Sequence, residues 1–217
     1  MKNYKAHIKA SVIACTVGVA GEFIFIFLLG TFYPGYSQLT NTMSSLGASA
    51  SPVSIPMSAW WTIAGLLFIF FGTGFRRAFS DRGRFAVLAS WLIIIYGIGE
   101  GIGSGLFRAD HLLSGGLTTA GIIHDILGGI GVFAILLLPL VMQKVIISAE
   151  MPGLYLMSQI IFFTGIAMVL LFTFRYSPDK QNFLSRYKGL WQRLFMLNTY
   201  VYFMAIAVAM WRRDRKG

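Results

Sequence analysis

The chain has 217 residues, 56% of them apolar and 12% charged, with 18 Lys and Arg against 8 Asp and Glu for a formal charge of +10. That composition excludes an ordinary soluble domain and a disordered chain, and describes a membrane protein. The basic residues sit at the ends of apolar runs instead of clustering on one solvated face, which excludes nucleic-acid binding, and the one cysteine, Cys15, leaves no internal disulfide.

A helix needs roughly 20 apolar residues to cross about 30 Å of hydrocarbon. Six segments meet this criterion and predict an all-α, polytopic membrane bundle of six transmembrane helices forming one domain over 1–217. Lys2, Lys5 and Lys9 imitate the start of a signal peptide, but only about five residues separate Lys9 from Cys15, too few for its apolar core. The first span therefore reads as a retained helix, 8–32, with Glu22 near its middle. Residues 33–56 form a long polar connection with no acid or base other than tyrosine, carrying Asn41, Ser44 and Ser45. Such a loop folds back over the bundle as a lid or serves as a linker.

The second span, 57–79, opens with Trp60 and Trp61 where an aromatic belt is expected. The third, 84–107, holds Tyr96-Gly-Ile-Gly-Glu100-Gly-Ile-Gly-Ser-Gly, a carboxylate among glycines. An ionised acid at mid-helix costs about 2.5 to 3.5 kcal/mol on insertion scales, which makes Glu100 the leading functional candidate. Val17-Gly-Val-Ala-Gly-Glu22 echoes it faintly. A short connection with Asp110 and His111 leads to the fourth span, 117–143, which carries His124, Asp125 and a kink-forming Pro139. The fifth, 151–174, starts at Pro152, and the sixth, 189–211, carries Gln192, Arg193 and Asn198.

Twelve basic residues fall on the side of the termini and six on the other, so both termini are expected in the cytoplasm. At about 1.5 Å rise per residue, Glu100, His124 and Asp125 share a layer roughly 10 Å below the outer ends of their spans, with Glu22 and Asn198 about 15 Å down. Gly121, Gly128 and Gly131 share the face of His124, while glycines 97, 101 and 105 and glycines 99 and 103 form two rows on the third span. Small-residue faces turn toward neighbouring helices, so the polar groups point inward. The expected object is an outward-facing pocket lined by Glu100, His124, Asp125 and Arg193, with Gln192 beside Arg193, Glu22 and Asn198 deeper, and Asp110 and His111 at the rim. Arg193 is there the cation among the acids, and Glu100 with Arg193 reads either as a working pair or as an ion pair locking spans three and six.

No His-x-x-x-His or His-Glu-x-x-His spacing supports a metal built from His111, His124, Asp110, Asp125 or Glu100, and no metal is assigned. Cofactors are unspecified. Ser44 or Ser45 with His124 as base would make a nucleophile, but no Gly-x-Ser-x-Gly elbow marks one, and a turn or cap is the plainer role.

Tyr33-Pro-Gly-Tyr-Ser37, Asn41-Thr-Met-Ser-Ser-Leu-Gly47 followed by Ser51-Pro52, Gly105-Leu-Phe-Arg-Ala-Asp110, His124, and Gly189-Leu-Trp-Gln-Arg193 occur in an order that resembles a family of prokaryotic six-helix membrane proteins, domain of unknown function family 998. The resemblance spans nearly the whole chain. It implies a small multi-pass protein of the plasma membrane and no established activity. A fainter likeness, through Ser45, Asp110 and His124, is to the membrane hydrolases that include alkaline ceramidases, but the last span has no histidine to complete their zinc site.

The sequence thus predicts an integral membrane protein whose pocket binds, and in one reading chemically modifies, a lipid-like or amphipathic small molecule. Glu100, His124 and Asp125 are the catalytic candidates. Arg193, Gln192, Asn198, Glu22, Asn41, Ser45, Asp110 and His111 are the binding candidates. A small proton- or cation-coupled transporter using Glu22 and Glu100, and an accessory subunit with no chemistry, are the alternatives. The lipid bilayer is the expected partner, and the oligomeric state is left open.

Overall fold

A computed structural model describes residues 2–110, 116–179 and 181–216. Six long helices account for most of it: α1 Lys2–Thr31, α2 Ser54–Ala78, α3 Gly83–Tyr96, α4 Thr119–Val145, α5 Pro152–Thr173 and α6 Lys188–Lys216. Beyond α3 the third span continues as a π-helix, Gly97–Gly103, and a last turn, Ser104–Leu106. Six helical stretches are long and apolar enough to cross a membrane, Tyr4–Thr31, Ser54–Ala78, Ser80–Leu106, Thr119–Val145, Pro152–Tyr176 and Lys188–Arg213. Among the described residues there is no β-strand.

Local chemistry sets several boundaries. Thr118 caps α4 by accepting from the Gly121 amide at 3.0 Å, and Pro152 occupies the first turn of α5, where its missing N–H costs nothing. Gly83 takes φ of +61°, a left-handed turn that sends the chain from the second span into the third. Pro139 stands inside α4, which runs through it without a break.

Each helix packs against its neighbours in sequence, and α6 returns to pack against α1, so the helices form a closed ring. Alternation of direction puts the 33–53 loop and the 107–118 and 174–187 connections at one end, and both chain termini at the other. Near the middle, Phe68, Phe71, Tyr96, Tyr200 and Phe203 fill the ring with an aromatic plug whose neighbouring centroids lie 5.3 to 6.3 Å apart. The ring's outside is apolar, with Ile13, Leu66, Phe133 and Phe163 each more than half exposed. That exterior suits acyl chains.

Glycine decides how closely the ring closes around the third span. A Cβ at Gly101 would lie 2.2 Å from the Gly65 Cα, and one at Gly65 would lie 2.5 Å from the Gly97 carbonyl, so α2 meets the π-helix backbone to backbone. On the opposite side a Cβ at Gly99 would stand 2.4 Å from the Leu127 carbonyl, and one at Gly131 would stand 2.9 Å from the Glu100 nitrogen. The two glycine rows therefore divide their work: 97, 101 and 105 face α2, and 99 and 103 face α4. Glycine weakens a helix interior by about 1 kcal/mol relative to alanine, and the contacts it permits offset that loss.

Candidate functional site

Between the aromatic plug and the 33–53 loop the ring encloses a cavity of about 360 Å³ to which every span contributes. Glu22 comes from α1, Trp61 and Phe68 from α2, Glu100 and Ser104 from the third span, His124, Asp125 and Phe133 from α4, Phe172 from α5, and Gln192 and Tyr200 from α6. The closed order of helices is what makes this possible. Residues as far apart in the chain as Glu22 and Tyr200 then face a common space.

Glu100 sits at the centre of the π-helix, a wide-turn geometry found disproportionately at functional sites. Among the described residues nothing hydrogen-bonds its carboxylate, which opens into the cavity within the field of Arg175, Glu22 and Asp125. His124 is buried and its Nδ1 donates to the Phe107 carbonyl at 2.9 Å, the only direction possible because a carbonyl accepts. The ring is thereby held with its other nitrogen as the remaining polar atom.

Asp125 bridges two elements. Arg175, just past the end of α5, lies 3.6 Å from its Oδ1, and the Tyr176 hydroxyl donates to Oδ2 at 3.3 Å. Arg175 also donates to that hydroxyl, and its guanidinium stacks 4.4 Å from the Phe172 ring centre. The fifth span as read from the sequence ends at 174 and so leaves Arg175 in the connection that follows. Its signal was present: Val169, Phe172, Thr173 and Tyr176 follow the three-and-four spacing of one helix face, and all line the cavity with Arg175.

Glu22 is fully occupied. Trp60 donates its indole N–H to Oε2 at 2.7 Å and Trp61 donates to Oε1 at 3.0 Å, so adjacent tryptophans satisfy both carboxylate oxygens. These tryptophans are 7% and 6% exposed, which corrects their assignment to an interfacial belt. Indole carries a donor and an apolar body, so it serves a buried acid as readily as a membrane boundary. Gly21 makes room, since a Cβ there would fall 2.1 Å from the Trp60 ring.

Arg193 does not join the acids, contrary to the expected partnership with Glu100. Its Nε donates to the Gln38 side chain at 2.8 Å and its Nη1 to the Asn41 and Gly189 carbonyls at 2.9 Å each, while Nη2 donates to the Tyr36 hydroxyl. Burial raises the Tyr36 phenol above its ordinary pKa, so it stays protonated and donates in turn to the Thr42 carbonyl at 3.2 Å. Gly189 lets the loop approach, for a Cβ there would lie 2.3 Å from the Asn41 carbonyl. Gln192 accepts from the Met43 amide at 2.7 Å, and the turn Met43–Leu46 lays Met43 and Ser44 over the cavity. The loop is a folded cap held by α6.

The remaining candidates are structural in their contacts. Asn41 accepts from the Ser37 amide at 2.9 Å, and Ser45 and Ser44 bond to the Thr42 hydroxyl at 2.9 and 3.1 Å, the turn role and not a nucleophile's. Asp110 holds the Ser49 amide at 2.7 Å, tying the cap to the 107–118 connection. Asn198 joins α6 to α5 through Thr164 at 2.7 Å and the Ile161 carbonyl at 3.0 Å, and lies outside the cavity lining. His111 lies outside the described residues. Among the described residues no group of three or more His, Cys, Asp or Glu side chains is arranged to hold a metal ion.

The chain belongs to the family described as "Protein of unknown function (DUF998)", which it matches over residues 16–209. No curated protein and no solved structure matches it.

Arg193→Leu keeps the apolar stem and removes every bond to the cap. Hydrogen exchange over residues 36–47 should then accelerate by about tenfold or more, consistent with losing charge-assisted bonds of about 1.5–3 kcal/mol each, while exchange in α2 is unchanged. Equal protection of the cap in variant and wild type would contradict this anchoring.

Proposed function

We propose that this protein is a six-helix, single-domain component of the plasma membrane that binds an amphipathic, lipid-like small molecule in the cavity inside its helix ring. The observation that carries the reading is a space of about 360 Å³ that combines long apolar walls with a carboxylate, Glu100, left without a hydrogen-bond partner among the described residues. Ligand sites commonly occupy 300–1,000 Å³ with a few convergent polar groups on apolar surroundings. Phe68, Phe133, Leu136, Phe172 and Phe195 supply apolar surface, and Glu100, His124 and Gln192 supply polarity toward the capped end. If a bound headgroup is chemically altered, Glu100 and His124 are the groups available for proton transfer.

The aromatic plug supports a blind pocket over a two-sided transport path. A through-route would have to part Phe68, Tyr200 and Phe203, whose ring centres lie 5.3 to 6.3 Å apart. Glu22, which a proton path would use, is engaged by two indoles.

The excess of basic residues at the chain-terminal end supports placing both termini in the cytoplasm, with the cap and cavity toward the outside. Cys15 is fully buried, so a cysteine introduced at Gln181 is the reactive thiol. A membrane-impermeant maleimide should label Gln181→Cys in intact cells and leave Arg77→Cys unlabelled, and the reverse pattern would overturn the orientation.

For binding itself, protein extracted in mild detergent should carry about one amphiphile per chain by native mass spectrometry. Val132→Trp, which fills the cavity from α4, should lose that mass while keeping its helix content. An identical bound-lipid profile in both would count against the site.

A further inference from the structure

The cavity's walls are not closed all round. Gly129 and Phe133 on α4, Thr173 at the end of α5 and Tyr176 in the turn that follows it line it and are also exposed on the outside of the ring, Phe133 at 62% and Tyr176 at 64%. A residue that faces both an interior space and the exterior marks an opening. These four form a slot between α4 and α5, and a Cβ built on Gly129 meets nothing within 4 Å. The slot lies within the stretches Thr119–Val145 and Pro152–Tyr176, both apolar enough to span a membrane, so it faces acyl chains. Met43, Ser44 and Gln192 meanwhile cover the capped end.

The charge inside selects among amphiphiles. Among the described residues, three carboxylates, Glu22, Glu100 and Asp125, line the cavity with one guanidinium, Arg175. Two of the acids have partners: Glu22 holds the indoles of Trp60 and Trp61, and Asp125 is paired with Arg175 and Tyr176. Glu100 is the acid left facing the cavity, and the His124 Nδ1 is already engaged with Phe107. With the His124 Nδ1 donating, its Nε2 is an acceptor in the same cavity as the Glu100 carboxylate, and two acceptors in a low-dielectric space favour a ligand that brings donors and a positive charge.

We propose that the ligand is a membrane-resident, single-chain amphiphile with a cationic amine headgroup, admitted sideways from the bilayer through the slot between α4 and α5, its amine on Glu100 and its chain running out past Phe133. This rests on the binding reading above and adds the headgroup and the route. The Asp125–Arg175–Tyr176 bridge, joining α4 to the end of α5, closes the slot at the capped end.

Three probes of equal chain length decide the headgroup: dodecylamine, dodecanol and dodecanoate, presented from phosphatidylcholine nanodiscs containing the full-length protein. The amine should bind at least about tenfold more tightly than the other two, the size expected for one charge-assisted hydrogen bond. Glu100→Gln should abolish that preference while still binding an apolar chain. Gly129→Trp, placed where a side chain meets open space, should slow loading of the amine by about tenfold with the thermal midpoint unchanged. Tightest binding of the alcohol or the carboxylate, or an amine preference that survives in Glu100→Gln, overturns the headgroup assignment and leaves the binding reading standing. Unchanged loading in Gly129→Trp overturns the route. If no probe binds, the binding reading falls as well.

Discussion

The backbone contact between Gly65 on α2 and Gly97 and Gly101 on the π-helix governs the rest of the molecule. With no side chains between them, the two spans approach to a distance that any Cβ would prevent. Gly99 and Gly103 allow the same closeness to α4 on the other flank. The third span is thus clamped on two sides by its own lack of side chains, and the one ionisable residue in the run, Glu100, is directed into the space that remains. A π-helix widens the turn at that point, and its poorer hydrogen-bond geometry is tolerable because packing, more than propensity, holds a helix inside a protein.

The energetics of the polar groups follow a consistent rule. A buried acid is costly unless donors or cations satisfy it. Glu22 meets the rule with two indole N–H groups and Asp125 with Arg175 and Tyr176, while Arg193 spends its donors on carbonyls, Gln38 and Tyr36. Glu100 departs from it among the described residues. Among the three acids that line the cavity, Glu100 is the one for which no described residue supplies a donor.

Much of this was legible before any coordinates. The six spans follow from runs of apolar residues, and the gathering of Glu100, His124 and Asp125 around one space follows from helical rise and small-residue faces. What was not legible depended on which partner a polar group selects. Trp60 and Trp61 sit near the start of a span, where belt and core tryptophans look alike, and only the fold brings Glu22 beneath them. Arg193 reads as a counter-ion because it is a cation near acids, yet the cap offers carbonyl and hydroxyl oxygens at shorter range. Arg175 reads as loop because a span-length count ends before it, although the helical face continues through Tyr176. The π-helix itself has no sequence signature beyond glycine enrichment, which equally suits a close-packed α-helix.

The central claim is that the ring holds a ligand-accessible space beside a Glu100 that no described residue hydrogen-bonds. An experimental structure of the wild-type protein in lipid nanodiscs, determined without added ligand, tests it most directly. The account predicts elongated density beginning at the Glu100 carboxylate and leaving the ring between α4 and α5 beside Phe133. A ring interior filled by side chains, with Glu100 paired to Arg175 or Arg193, would contradict it.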